Sequence, residues 1–275
     1  MGKKIGIIGF GNMGSAIAER IKLKYEVFVF DKDASKAKNL SSIKVALDNI
    51  DLVKNSDAVI LAMKPQDFNG LLGEIKNYID DKLVISIAAG ITTDYIERAL
   101  EKVKVVRAMP NIGAKIGKAE SCLCKGKNAN KTDLVFAQEL FSYIGETWNI
   151  KESMIDAATA ICGSGPAYIF YDLEINNIDS SHIPSKEKQR YIVNLTEAAE
   201  DVGFNAKLAK EFAASVTGTS IALVALPGIT PTDLKIQVTS KGGTTEAALK
   251  VLSTGGTWSQ AALAAKKRAE ELSRH

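Results

Sequence analysis

Histidine is almost missing from this 275-residue sequence: His182 and His275 are the only two. His182 lies in a polar stretch and His275 is the last residue. Neither is placed for a buried acid–base role, so chemistry that needs a histidine base is disfavoured, including that of the usual 2-hydroxy acid dehydrogenases. Cysteine is scarce too. Cys122, Cys124 and Cys162 cannot all pair, which points to reduced thiols in a cytoplasmic protein. Cys122 and Cys124 share one face of an expected strand, but with no further cysteine or nearby histidine no metal site is expected. No apolar run is long enough to span a membrane, and the chain enters a core strand so early that no signal segment is expected before it. The net charge of +3 is too small for a nucleic-acid partner, and the lysines are scattered among acids rather than set in a stripe. Internal repeats and low-complexity segments are also absent. Hydrophobic residues make up 46% and charged residues 24% of the chain, an ordinary globular balance, and the length allows a sizeable core and two domains.

The most informative stretch runs from Lys4 to Ser15. Ile5–Ile8 reads as a buried parallel strand. Gly9-x-Gly11-x-x-Gly14 follows, and a helical pattern opens at Ser15. Gly9 permits a sharp turn off the strand, Gly11 lets a pyrophosphate approach the backbone, and Gly14 lets the helix pack on the strand. The phosphate then meets the helix N-terminus. A second strand, Tyr25–Phe30, ends at Asp31, where an acid that binds ribose belongs. Strand–helix alternation continues through Asp57–Met63, Leu83–Ala89 and Val103–Met109. A short helix is expected at Ala34–Leu40, a strand at Ile43–Leu47, and helices at Asn49–Asn55, Phe68–Ile79 and up to Leu100, the last capped by Thr92 or Thr93. Ser121–Cys124 and Thr147–Ile150 read as edge strands flanking a helix at Thr132–Tyr143. The expected fold is α/β: an N-terminal, Rossmann-like, doubly wound parallel sheet followed by an all-helical C-terminal dimerisation domain. The ligand crevice belongs at the strands' carboxyl ends, which carry residues 9–13, Asp31, residues 62–65, residues 88–90 and residues 109–111. Past Lys151 alanine-rich helical patterns replace strands, which divides the chain into residues 1–151 and 152–275. Helices are expected at Glu187–Val202, Ala206–Leu226, Thr232–Val238, Thr244–Leu252 and Ser259–Leu272.

Four segments together resemble the pyrroline-5-carboxylate reductase family: Ile5–Gly14, Arg107-Ala-Met-Pro-Asn111, Gly163-Ser-Gly-Pro-Ala-Tyr168 and Val238-Thr-Ser-Lys-Gly-Gly-Thr-Thr245. Ala62-Met-Lys-Pro65 and Ile85–Gly90 agree in order and spacing, and the similarity covers nearly the whole chain. The resemblance implies reduction of 1-pyrroline-5-carboxylate to proline by NADPH or NADH, in a homodimer or higher homo-oligomer. It implies a cofactor site at Gly9, Phe10, Gly11, Asn12, Met13, Gly14 and Asp31, with Asn49 at the adenosine end. Ala62, Met63, Lys64, Pro65, Ala88 and Ala89 would lie on the nicotinamide side. It implies a substrate site at Val238, Ser240, Gly242, Gly243, Thr244 and Thr245, with Thr245 on the ring nitrogen. The amides of Gly242, Gly243 and Thr244 would converge on the substrate carboxylate. Met109–Asn111 would close the pocket floor, and Gly163–Gly165 would turn the chain into the second domain. No metal or nucleophile is needed, since a protonated imine is already electrophilic.

Three departures stand out. Lys241 replaces the family's usual proline, Ile112-Gly113 follows Asn111 where Thr-Pro is usual, and Asp179–Pro184 interrupts what is a single helix in the family. That interruption reads either as a surface insertion or as an altered subunit contact. Two rival functions stay open: another Rossmann reductase of imines or 3-hydroxy acids with Lys241 as general acid, and a regulator that binds cofactor without turnover. The family mostly favours NADPH. Asp31, offset by Lys32 and Lys36, leads us to expect that both cofactors work, with a stronger leaning to NADH than is usual in the family.

Overall fold

A computed structural model describes residues 2–38 and 40–273, so His275 and the Asn39 position of the expected Ala34–Leu40 helix lie outside it. The described residues form two units: residues up to Met109 with Ser121–Glu152, and Pro110–Glu120 with residues from Ser153 onward.

In the first unit, β1 (Lys4–Ile8), buried from Ile5 to Ile8, leads into α1 (Asn12–Ile21). The chain continues through β2 (Glu26–Phe30), β3 (Lys44–Val45), α2 (Asn49–Lys54), β4 (Ala58–Leu61), α3 (Phe68–Ile75), β5 (Leu83–Ser86), α4 (Thr93–Leu100) and β6 (Lys104–Met109). It closes with β7 (Ala119–Lys125), α5 (Lys131–Ser142) and β8 (Gly145–Asn149). The strand order is β3-β2-β1-β4-β5-β6-β7-β8. The first six follow the nucleotide-binding order, which reverses direction between β1 and β4 and so opens a crevice at the end of β1. These six pair in parallel. The buried apolar runs of β1, β4 and β5 are what a sheet covered on both faces requires. On one face Leu61 and Val84 pack against Leu71, Leu72 and Ile75 of α3 and Ile96 of α4. Thr92 caps α4 by accepting from the Tyr95 amide.

Two expectations change here. The sheet is not wholly parallel: β7 runs antiparallel to β6, with Met109 opposite Cys122. Only a 3-10 turn, Ile112–Ile116, links the two strands, and without a crossover helix the chain returns in the opposite sense. The segment Ala34–Leu40 supplies one 3-10 turn, Ala34–Ala37, fixed by Asp33 accepting from the Ser35 amide. Cys124 is buried on β7, and burial pushes its thiol up to about 12, which keeps it inert.

The second unit contains α6 (Ile155–Ala158), α7 (Gly165–Ile175), α8 (Ser185–Asp201), α9 (Ala206–Val224), α10 (Pro231–Val238), α11 (Thr244–Ser253) and α12 (Trp258–Leu272). Trp258 stacks on Tyr191 at 5.7 Å and meets Tyr168 edge-on at 6.0 Å, joining α12, α8 and α7. The Asp179–Pro184 segment forms its own turn, with Asp179 accepting from the Ser181 amide at 2.8 Å. Behind it Arg190 and the Tyr191 hydroxyl clasp Asp172, at 3.0 Å in each case. The interruption therefore leaves α7 and α8 bound to each other by a charge-assisted pair.

Pro110–Glu120, which the sequence reading places in the first domain, belongs with the helical unit. Its Glu120 is buried and accepts from Ser215 and Thr219 of α9, each at 2.8 Å, and from Asn111. None of these donors carries charge. Burial raises the Glu120 carboxyl above its ordinary range, against those hydrogen bonds. The folded state therefore holds the Glu120 proton to higher pH than the unfolded state does. This contribution to stability is full below the unfolded pKa and is lost as pH rises through the folded one. Glu120→Gln should remove that dependence, so its Tm relative to wild type should improve from pH 5 to pH 8; an identical difference at both pH values would contradict this.

Candidate functional site

The glycine loop of the first unit works as three separate fittings. Gly9 has φ +98°, and a Cβ there would lie 2.6 Å from the Ala62 carbonyl oxygen. A Cβ on Gly14 would overlap the Gly9 carbonyl, whereas one on Gly11 would meet nothing within 4 Å. Packing inside the protein thus requires Gly9 and Gly14. Gly11 leaves an opening, as close approach by a ligand demands. Gly11 is the N-cap of α1 and no side chain caps that helix, so its first amides face outward, ready for an anion.

Asp31 binds this loop to the end of β2. Its carboxylate accepts from the Phe10 amide at 2.7 Å and the Asp33 amide at 2.9 Å, and pairs with Lys36 at 3.2 Å. Burial alone would raise its pKa. The Asp33 and Phe10 amides and the Lys36 ammonium outweigh burial and hold it below the ordinary carboxylate range, so it is an anion at neutral pH.

A cleft of about 400 Å³ opens above these groups. It brings together Gly9, Gly11, Asp31, Asn49, Ala62, Met63 and Lys64 of the expected cofactor residues. Phe10, Asn12, Met13, Gly14, Pro65, Ala88 and Ala89 are not on its walls. Phe10 acts through its amide and Gly14 packs beneath the loop. Asn12 and Met13 open α1, Pro65 starts the 3-10 turn ahead of α3, and Ala88 is buried beyond β5. Gln66, Asp67 and Glu74 also line the cleft, and sequence reasoning missed them. Glu74 lies on the polar side of α3, which the helical pattern assigns to solvent. It accepts from Asn49 Nδ2 at 2.8 Å. The Asn49 Oδ1 beside it is buried with no hydrogen-bond partner. A buried acceptor left open costs about 1–3 kcal/mol, and a nucleotide hydroxyl or amino group would fill it. The loop, the anionic Asp31 and this open acceptor all fit a dinucleotide.

In the second unit α11 starts at Thr244, and Gly243, its N-cap, provides no side-chain cap. The loop before it is a β-turn closed by the Gly243 amide donating to Ser240 O at 2.9 Å, with Gly242 at φ +70°. The Gly242 amide donates to Glu246 at 2.8 Å, and Arg268 donates to the Gly242 carbonyl at 2.8 Å. This corrects the expected role of two amides. Those of Gly242 and Gly243 hold the loop itself, which leaves Thr244 and Thr245 at the start of α11 as outward donors. Val238 ends α10 half-buried, and Ser240 and Lys241 are exposed. Lys241 takes the second position of the turn, and Gly242 takes the third, where positive φ is needed. Proline suits that second position in a type II turn, which accounts for the family's usual residue there.

Thr244 and Thr245 are buried, and both hydroxyls meet Ser164, at 3.1 and 3.0 Å. The Gly163–Gly165 segment is therefore no inter-domain turn. It follows a π-helical turn, Thr159–Gly163, and opens α7 inside the helical unit. The Gly-Ser-Gly-Pro run was visible, but nothing in its spacing pointed to Thr245. Asn111 is buried, and its Nδ2 donates to Glu120 and to Cys162 O.

A nucleotide-binding sheet with this loop and cleft, joined to a helical unit, defines the class of dinucleotide-dependent oxidoreductases. Residues 4–90 match the family model described as NADP oxidoreductase coenzyme F420-dependent, and residues 190–272 match that for pyrroline-5-carboxylate reductase dimerisation. Pyrroline-5-carboxylate reductase of Methanosarcina acetivorans is 37% identical, with 98% of each chain covered. Pyrroline-5-carboxylate reductase 2 of Bacillus subtilis is 32% identical over 91% of this chain and 87% of its own. Among solved structures, the Coxiella burnetii enzyme of that name aligns over 100% of both chains with TM-score 0.67 and 29% identity. The Plasmodium falciparum enzyme, with NADP bound, aligns over 98% of both with TM-score 0.64 and 28% identity. The chain belongs to the pyrroline-5-carboxylate reductase family.

Asp31→Ala removes an anion that would accept from a ribose 2′-hydroxyl and repel a 2′-phosphate. It also frees the Phe10 amide, so affinity for both dinucleotides should fall. The ratio should move toward NADPH by about tenfold, the worth of one hydrogen bond to a charged group. Fluorescence titration with NADH and NADPH measures this, and an unchanged ratio would show that Asp31 does not read the ribose.

Proposed function

We propose that the protein reduces 1-pyrroline-5-carboxylate to L-proline with NADPH or NADH. The start of α11 is the observation that supports this reading most. It combines outward amides at Thr244 and Thr245, a buried Thr245 hydroxyl beside them, and no capping side chain. That set matches a small ring bearing one carboxylate and one imine nitrogen. The carboxylate would take the Thr244 and Thr245 amides, aided by the helix dipole. The ring nitrogen would meet Thr245 Oγ1. The reduced nicotinamide, when bound, supplies the hydride. The first unit's part is to hold the dinucleotide by the α1 amides, Asp31 and Asn49, with Ala62, Met63 and Lys64 on its nicotinamide side. Orientation carries most of the acceleration, because a protonated imine needs no further activation.

The protein is proposed to act as a homo-oligomer. On α9, Ala214 and Gly218, with Ala225 at its C-cap, leave an exposed stripe of small residues, which suits close approach by a second copy. Among the described residues no helix is long and apolar enough to cross a membrane. A cytoplasmic setting is part of the same proposal and rests on the odd, low cysteine count. The main rival gives the proton to Lys241, an exposed turn residue.

Two substitutions separate the readings. Thr245→Ala should lower kcat/KM for the imine about ten- to hundredfold with cofactor affinity nearly unchanged, since a hydrogen bond to a group whose charge changes is worth ~1.5–3 kcal/mol. Lys241→Pro should keep turnover and be neutral or stabilising by up to about 1 kcal/mol. The opposite pair, a silent Thr245→Ala and an inactive Lys241→Pro, would overturn the proposal.

A further inference from the structure

Ser164 is wholly buried, and its hydroxyl is the shared partner of Thr244 and Thr245. Its position is set by an irregular helix whose loose ends are all tied. The π turn Thr159–Gly163 is closed by the Ser164 amide donating to Thr159 O at 2.9 Å. Pro166 has no N–H, so the Cys162 carbonyl four residues earlier receives nothing from it. Asn111 Nδ2 donates to that carbonyl instead, at 2.9 Å. The Ala160 carbonyl accepts from the Tyr168 hydroxyl at 2.8 Å. Side chains from two other places thus secure a distortion that a regular helix would not need, and such single π turns are common at functional sites.

A hydroxyl has one proton to give and two lone pairs. If Thr245 gives its one proton to a neutral ring nitrogen, its contact with Ser164 must have Ser164 as the donor. Ser164 would then accept from Thr244. When the ring nitrogen carries the proton, as in the iminium or the amine product, each donor in the row turns round: Thr245 accepts from the ring and donates to Ser164, which donates to Thr244. No proton leaves the row in either sense: the imine takes its proton from solvent and is reduced as the iminium, and hydride addition to the ring carbon gives the neutral amine. We infer that Ser164 is a positioning residue for the reduction, holding the Thr245 hydroxyl in line with the ring nitrogen and letting it serve as donor or acceptor. This rests on the proposed role of Thr245.

A double-mutant cycle tests it. Ser164→Ala should lower kcat about three- to tenfold, the worth of one neutral hydrogen bond, with little change in KM. On a Thr245→Ala background the same change should alter kcat by less than about twofold, because the group it positions is gone. Ser164→Cys, of similar volume with a weaker donor, should fall between wild type and Ser164→Ala. It also takes the place of Ser164→Ala in the cycle if that variant does not fold. Thermal unfolding of each variant identifies a purely structural loss. A kcat loss that multiplies fully with that of Thr245→Ala, or a silent Ser164→Ala beside a damaging Thr245→Ala, would overturn the inference and leave the Thr245 reading intact. A silent Thr245→Ala would remove the reading on which it rests.

Discussion

A helix that begins without a capping side chain leaves amides in search of a partner, and both binding sites of the proposed reaction are built on one. At α1 the cap is Gly11 and at α11 it is Gly243; neither has a side chain to turn back on the helix. Several other helices are capped by a side chain. Asn130 and Asp133 form a reciprocal box at α5, and Thr257 and Gln260 do so at α12. These two glycine-capped starts lie where the proposed reaction needs anion sites, one for a pyrophosphate and one for a carboxylate. Each is stiffened from behind rather than across its mouth: Asp31 takes the Phe10 amide behind α1, and Glu246 and Arg268 hold the Gly242 peptide before α11.

The same rule, that buried backbone groups must be paired, explains the helical unit. Proline at position 166 removes one donor, and the structure answers with Asn111, brought by a segment far away in sequence. That draws Pro110–Glu120 into the helical unit and places Glu120 among the hydroxyls of α9. The carboxyl is tolerated there because three donors face it, at the cost of a raised pKa.

The first unit was largely legible in the sequence because its constraints are local. Gly9, Gly11 and Gly14 sit within one turn, and Asp31 ends the adjacent strand, so spacing alone carries their roles. What was not legible depends on contacts between distant segments. Ser164 lies about eighty positions before Thr245, and no periodicity links a Gly-Ser-Gly-Pro run to a later threonine. Asn111 had the same ambiguity, since a polar residue after a strand reads equally well as a pocket wall or as a partner for a stranded carbonyl. The reversal of β7 escaped notice because strand patterns carry no direction. Glu74 was hidden on the polar side of its helix, where the pattern predicts solvent and the fold supplies a cleft.

The central proposal is that a dinucleotide bound by this chain reduces a ring imine to proline. The most direct measurement uses NADPH deuterated at the transferable position, supplied with 1-pyrroline-5-carboxylate, with the product examined by mass spectrometry and NMR. The account predicts L-proline carrying one deuterium on Cδ, the former imine carbon, formed in equal amount to the NADPH consumed. Bound NADPH that is not oxidised, or proline without the label at Cδ, would contradict it.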